Sequence, residues 1–143
     1  MVIKCTIERD RRLVILVYAA VVSDEEVLST YEKLGRDPRI QAGYTYLVDF
    51  SDEDSTARSS GTVARLAKLA KDWGGGAAHA PGKVAVIAPD DLSYGLTRMY
   101  QERAGRSSEE YQVFRNASEA VAWLGIPISI LDQARSRTTS DLD

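Results

Sequence analysis

The sequence predicts a single α/β domain: a mixed sheet of about five strands with helices packed against it, in the order ββαβαβαβα. Three observations carry that expectation. An apolar run from Leu13 to Val22 is long enough for a strand buried on both faces. A period-two segment precedes it, and strand-like and helix-like segments alternate from there to Leu124.

Ile3, Cys5 and Ile7 alternate with Lys4, Thr6 and Glu8, the pattern of a strand with one buried and one wet face. A polar turn at Arg9 to Arg12 joins it to the Leu13–Val22 run, close enough for an antiparallel hairpin. Ser23 followed by Glu26 forms a capping box, and Val27, Leu28, Tyr31 and Leu34 then repeat at helical spacing until Pro38 stops them. Tyr44 to Phe50 reads as the third strand, parallel to the second through a right-handed crossover. A helix starting near Ser59 or Ser60 carries Val63, Leu66, Ala67, Ala70 and Trp73 on one stripe and ends at Gly74-Gly75-Gly76. Lys83 to Ala88 is a buried fourth strand. Pro89-Asp90-Asp91 opens a helix whose apolar residues are Leu92, Leu96, Met99 and Tyr100. Tyr111 to Arg115 is a short fifth strand, leading through Asn116 and Ser118 into a last helix with Ala120, Val121 and Leu124. The domain is expected to span residues 1–131, with Ile126 to Leu131 apolar enough to dock on it or on a second subunit. Residues 132–143 read as a flexible polar tail.

A chain of 143 residues buries enough surface to fold without disulfide or metal staples. Its net charge of −3 gives no footprint for nucleic acid, and ten apolar residues are about half the length of a membrane span. The N-terminus shows charged residues and no apolar signal core, so a cytoplasmic location is expected. Cys5 is the sole cysteine, which excludes an internal disulfide, and its place in a strand gives it the role of a small buried hydrophobe.

Candidate chemistry gathers where strands end and helices begin. Asp24, Glu25, Glu26, Asp52, Glu53, Asp54, Asp90, Asp91 and Glu119 lie at such junctions, where capping and helix-dipole compensation account for carboxylates. A hard-cation site from Asp52, Asp54 and Asp90 is the sharper alternative, but the spacing matches no calcium loop. Tyr94 and Arg98 share a face of the third helix, where Arg98 is positioned to pair with Asp90 or Asp91 or to meet an anionic ligand. His79 stands in a glycine-rich connection with no partner beside it, so no general base is assigned and no cofactor is expected. Ser59 and Ser60 serve as helix N-caps in the plain reading and as phosphorylation sites in the sharper one, with Arg58 near enough to pair with a phosphate.

The element order, the strand Leu47-Val48-Asp49-Phe50-Ser51 and the following Ser59-Ser60-Gly61 resemble the STAS superfamily, specifically the small SpoIIAA-like bacterial proteins. The segment Asp90 to Tyr100 is similar to the third-helix opening of the same group, and the resemblance covers about residues 1 to 126. It implies a non-enzymatic regulatory or protein-interaction module, with a homodimer among the expected assemblies. It also implies that Ser59 is the regulatory phosphosite, although Arg58 stands where an aspartate usually precedes that serine. The partner- or ligand-binding rim would comprise Asp52, Asp54, Arg58, Asp90, Asp91, Tyr94 and Arg98. The alternative is a small carrier for a lipid or other apolar molecule, bound between the sheet and the helices bearing Trp73, Leu92, Leu96 and Met99.

Overall fold

A computed structural model describes residues 3–54, 60–74, 82–105, 107 and 110–142; the side chains of Ser60 and of residues 69–74 lie outside that description. The first two strands, β1 (Ile3–Glu8) and β2 (Leu13–Ala20), form an antiparallel hairpin in which Ile3 faces Tyr18 and Glu8 faces Leu13. There follow α1 (Asp24–Arg36), β3 (Thr45–Glu53), α2 (Ser60–Gly74), β4 (Val84–Ile87), α3 (Asp91–Ala104), β5 (Tyr111–Phe114), α4 (Ala117–Leu124) and α5 (Ile128–Ser136). The expected α/β class and ββαβαβαβα order are observed, with α5 added.

The five strands lie side by side in sequence order, and β2 to β5 are mutually parallel. This order decides the layering. Right-handed crossovers that always step in the same direction must place every connecting helix on the same face of the sheet. Accordingly Val27 and Leu34 of α1, Leu66 of α2, and Tyr94 and Tyr100 of α3 join Cys5, Val14, Leu16, Val48 and Val86 in one core. The residues between them along the strands, Leu13, Ile15, Val17, Leu47, Ala85 and Ile87, face the other way. That second face is covered by α4 and α5 through Ala120, Val121, Leu131 and Ala134. Both faces of β2 are therefore dry, which explains why its apolar residues do not alternate with polar ones.

Local chemistry sets the helix starts. Ser23 Oγ accepts from the Glu26 backbone N–H at 3.1 Å, Asp90 from that of Ser93 at 2.8 Å, and Asn116 from that of Glu119 at 2.9 Å. Strand β3 runs three residues beyond the expected end at Phe50. Past a register irregularity in β2, Asp52 and Glu53 pair with Ala19 and Ala20, so the start of the acidic loop is still sheet.

Two expectations about packing are corrected. The buried face of α3 is Ser93, Thr97 and Gln101, whereas Leu92 is 45% exposed and Leu96 and Met99 are half-buried. The polar stripe can be buried because its groups find local partners. Ser93 Oγ donates to Asp90, Thr97 Oγ1 donates to the Ser93 carbonyl at 2.7 Å, and Gln101 Nε2 donates to the Tyr111 carbonyl at 3.0 Å. The second correction concerns residues 132–142, expected as a flexible tail. Asp132 to Ser136 complete α5, and the chain beyond them runs along the outer edge of β1. Ser140 Oγ accepts from the Cys5 N–H at 3.0 Å, Asp141 Oδ2 accepts from the Ile7 N–H at 2.7 Å, and the Asp141 N–H donates to the Cys5 carbonyl at 2.8 Å. Arg137 and Arg39 hold Asp141 from its side chain and carbonyl respectively, and Leu142 packs against the first core. The free edge of a sheet carries unpaired donors and acceptors, and these residues satisfy them. Cys5 beneath them is wholly buried, and burial, followed by the charge of Asp141, pushes its thiol up to about 12.

The entries to β3 and β4 meet at a pair of glycines. A Cβ on Gly82 would lie 2.7 Å from the Gly43 carbonyl oxygen and 3.3 Å from its carbon, both backbone atoms with little room to move. Gly82→Ala is expected to destabilise the protein by about 1–3 kcal/mol, the usual cost of overpacking. Gly95→Ala, inside α3 with nothing within 4 Å of the new methyl, should instead stabilise by about 0.5–1 kcal/mol. Parallel thermal melts read both signs.

Candidate functional site

In parallel sheets, ligands collect in the crevice where strand order reverses. This sheet has no reversal. What remains at the carboxyl ends of β2 to β5 is a rim, built from the segments that leave each strand. Because β3 and β4 are paired with each other up to Asp49 and Ile87, the extension of β3 through Ser51 to Glu53, Asp54 after it and Pro89–Asp91 lie at the same end of the sheet.

Along this rim Asp52 and Asp54 are exposed, and the Asp54 N–H donates to the Ala20 carbonyl at 2.9 Å. Asp90 is the N-cap of α3. The Ser93 backbone N–H, with the Ser93 hydroxyl assisting, holds its carboxyl below the ordinary carboxylate range. Asp91 projects into solvent and pairs with Arg115 Nη1 at 2.8 Å. The same guanidinium donates to the Pro89 carbonyl at 3.2 Å and lies over the Tyr94 ring, 4.1 Å from its centre. Arg115, from the end of β5, thus takes the position expected of Arg98, which is exposed one turn further along α3. Arg58 and Ser59 fall outside the described residues, while Ser60 is the first residue of α2. His79 and the glycines at 75 and 76 also fall outside them.

The structure brings together Asp90, Asp91, Tyr94 and Arg115 at the α3 entrance. A second polar cluster, absent from the expected set, lies where α5 crosses the end of β3. Asp49 is 1% exposed, on the sheet face covered by α4 and α5. Its Oδ2 accepts from Arg135 Nε at 2.7 Å, and its Oδ1 accepts from the Ser51 hydroxyl at 2.6 Å and the Ser51 N–H at 3.1 Å. Arg135 Nη2 also donates to Ser51 Oγ at 3.3 Å. The Asp49 hydrogen bond raises Arg135 above its already high ordinary value. A sequence signal for this cluster did exist. An aspartate inside the apolar run Leu47–Phe50 must be paired if buried, although its partner, 86 residues away, cannot be named from spacing.

Among the described residues, no group of three His, Cys, Asp or Glu side chains converges to hold a metal ion. No helix among them is long and apolar enough to cross a membrane. At the α3 entrance the carboxylates are engaged in capping and ion pairing, and the exposed guanidinium rests on an aromatic ring. These groups present a charge pair and an aromatic face at the surface. Leu92 is half-exposed at the same entrance. No protein-family model matches the chain, and no curated protein matches it in sequence.

Proposed function

We propose that the protein is a non-enzymatic regulatory or protein-interaction module of STAS-like design, whose contact surface is the rim at the carboxyl ends of the parallel strands. The observation that carries this reading is the Asp91–Arg115–Tyr94 cluster. Arginine and tyrosine are the side chains most often found at energetic centres of interfaces. Here they are held in place before any partner arrives, which lowers the entropy lost on binding. Asp52 and Asp54 extend the surface with negative charge. In the same reading, a phosphate at Ser59 or Ser60 would add about −1.5 to −2 charges beside α2 and alter the field a partner meets.

The test begins with proteins captured from the host by the wild-type chain. Arg115→Ala should weaken binding of a specific partner at least about fivefold, the loss of a contact worth more than 1 kcal/mol, while thermal stability stays nearly constant. Equal capture by wild type and Arg115→Ala would remove the rim from consideration. Phosphate mapping on protein purified from the host, together with a Ser59→Glu chain, separates the switch from the surface. A glutamate variant that keeps every partner argues for a constitutive module.

A further inference from the structure

We propose that residues 137–142 form a releasable cover over a strand-addition site on β1, and that the occupant of the uncovered edge is β1 of a second copy of this chain. The outward-facing backbone of β1 is defined by its present bonds. The N–H groups of Cys5 and Ile7 and the carbonyl of Cys5 all point away from β2 and into the covering segment. In an antiparallel ladder such outward groups belong to alternate residues, which is the set a second strand requires.

The cover satisfies this edge without forming a strand. Three of the four edge bonds are made by side chains, those of Ser140, Asp141 and Arg137, whose Nη1 donates to the Cys5 carbonyl at 3.5 Å, and only the Asp141 N–H supplies a backbone-to-backbone bond. A true partner strand would replace them with a continuous ladder. The cover is held by polar contacts that an incoming strand must displace together: Arg137 on Asp141, Arg39 on the Asp141 carbonyl, and Lys4 Nζ on the carbonyls of Arg135 and Arg137. Arg137 Nη1 also donates to Thr6 Oγ1 at 3.0 Å. Lys4 and Thr6 therefore cannot serve the cover and a neighbouring strand at once.

The sequence of β1 favours its own copy as that neighbour. In the twofold register that places Thr6 opposite Thr6, Lys4 faces Glu8 of the second copy and Cys5 faces Ile7. Opposite charges directly across an antiparallel pair are stabilising, and apolar pairs fall on the face that already carries the first core. Two five-stranded sheets would join into one continuous sheet across the twofold axis. This gives the expected homodimer a defined interface and makes it conditional on release of the cover. It does not depend on the rim described above.

Sedimentation equilibrium tests the proposal. The 143-residue chain should be monomeric at a concentration where a chain ending at Ser136 has twice the monomer mass. In that shortened background Glu8→Lys and Lys4→Glu should each give monomers, because each sets like charges opposite one another, and an equimolar mixture of the two should restore a one-to-one dimer. Should the shortened chain fail to fold, Ser140→Ala with Asp141→Ala in the 143-residue chain removes the side-chain acceptors and should shift the mass in the same direction. Folded monomers from both routes would overturn the proposal. So would a dimer that survives either charge substitution alone.

Discussion

Arg135→Ala is expected to lower the free energy of unfolding by about 3 kcal/mol, the low end of the range for breaking a buried ion pair. The asymmetry of the pair sets the direction of the comparison. Asp49 is 1% exposed, whereas the Arg135 side chain retains 30% of its surface and can turn to water when its partner is removed. Removing the arginine strands a charge; removing the aspartate frees one. Asp49→Asn, which keeps an acceptor for Ser51, should therefore cost less, about 1–2 kcal/mol. Urea titrations of wild type, both single variants and the double variant would measure the two losses and their coupling. A loss from Arg135→Ala no larger than that from Asp49→Asn would mean that the guanidinium contributes through its methylene packing alone.

Leu131→Ala is expected to cost about 2–5 kcal/mol, the range for a large-to-small change at a fully buried site. Leu131 is the apolar anchor of α5 against Leu13, Ile15 and Leu47, so a void there loosens a whole layer. Ile128, one turn earlier on the same helix, is 44% exposed, and Ile128→Ala should change stability by no more than about 0.5 kcal/mol. The two melts differ only in which face of α5 is shortened. Similar losses from both would show that α5 is seated differently from the arrangement described here.

These two residues also mark where sequence reading reached its limit. Elements with local causes were legible: the doubly buried β2 from its unbroken apolar run, α1 from Ser23 and Pro38, and α3 from Asp90. Helix α5 was not, because it begins at Pro127 with no side-chain cap and its apolar stripe is short. Its stability is tertiary, through Leu131, Ala134 and the Arg135–Asp49 pair. The polar residues after it resemble a solvated tail because their partners are backbone groups of β1, more than 130 positions away in the chain. The orientation of α3 was misread for a related reason. Serine and threonine whose hydroxyls bond within their own helix can be buried like small apolar residues, and hydropathy alone does not distinguish them. Of the rim, Asp90, Asp91 and Tyr94 were found through their place at a strand-to-helix junction, while Arg115 was hidden at the end of a four-residue strand.

The one-directional order of the strands has a consequence for synthesis. By the time β5 has emerged, α1, α2 and α3 can already cover one side of the sheet, but the side formed by Leu13, Ile15, Leu47 and Ile87 still awaits α4 and α5. A nascent chain halted between β5 and α5 presents a broad apolar surface and, with β1 uncovered, an open edge beside it. Such species associate readily with one another and with chaperones. Helix α5 and residues 137–142 emerge after the elements they cover, so the vulnerable interval lasts until Leu131 and Asp141 reach their places.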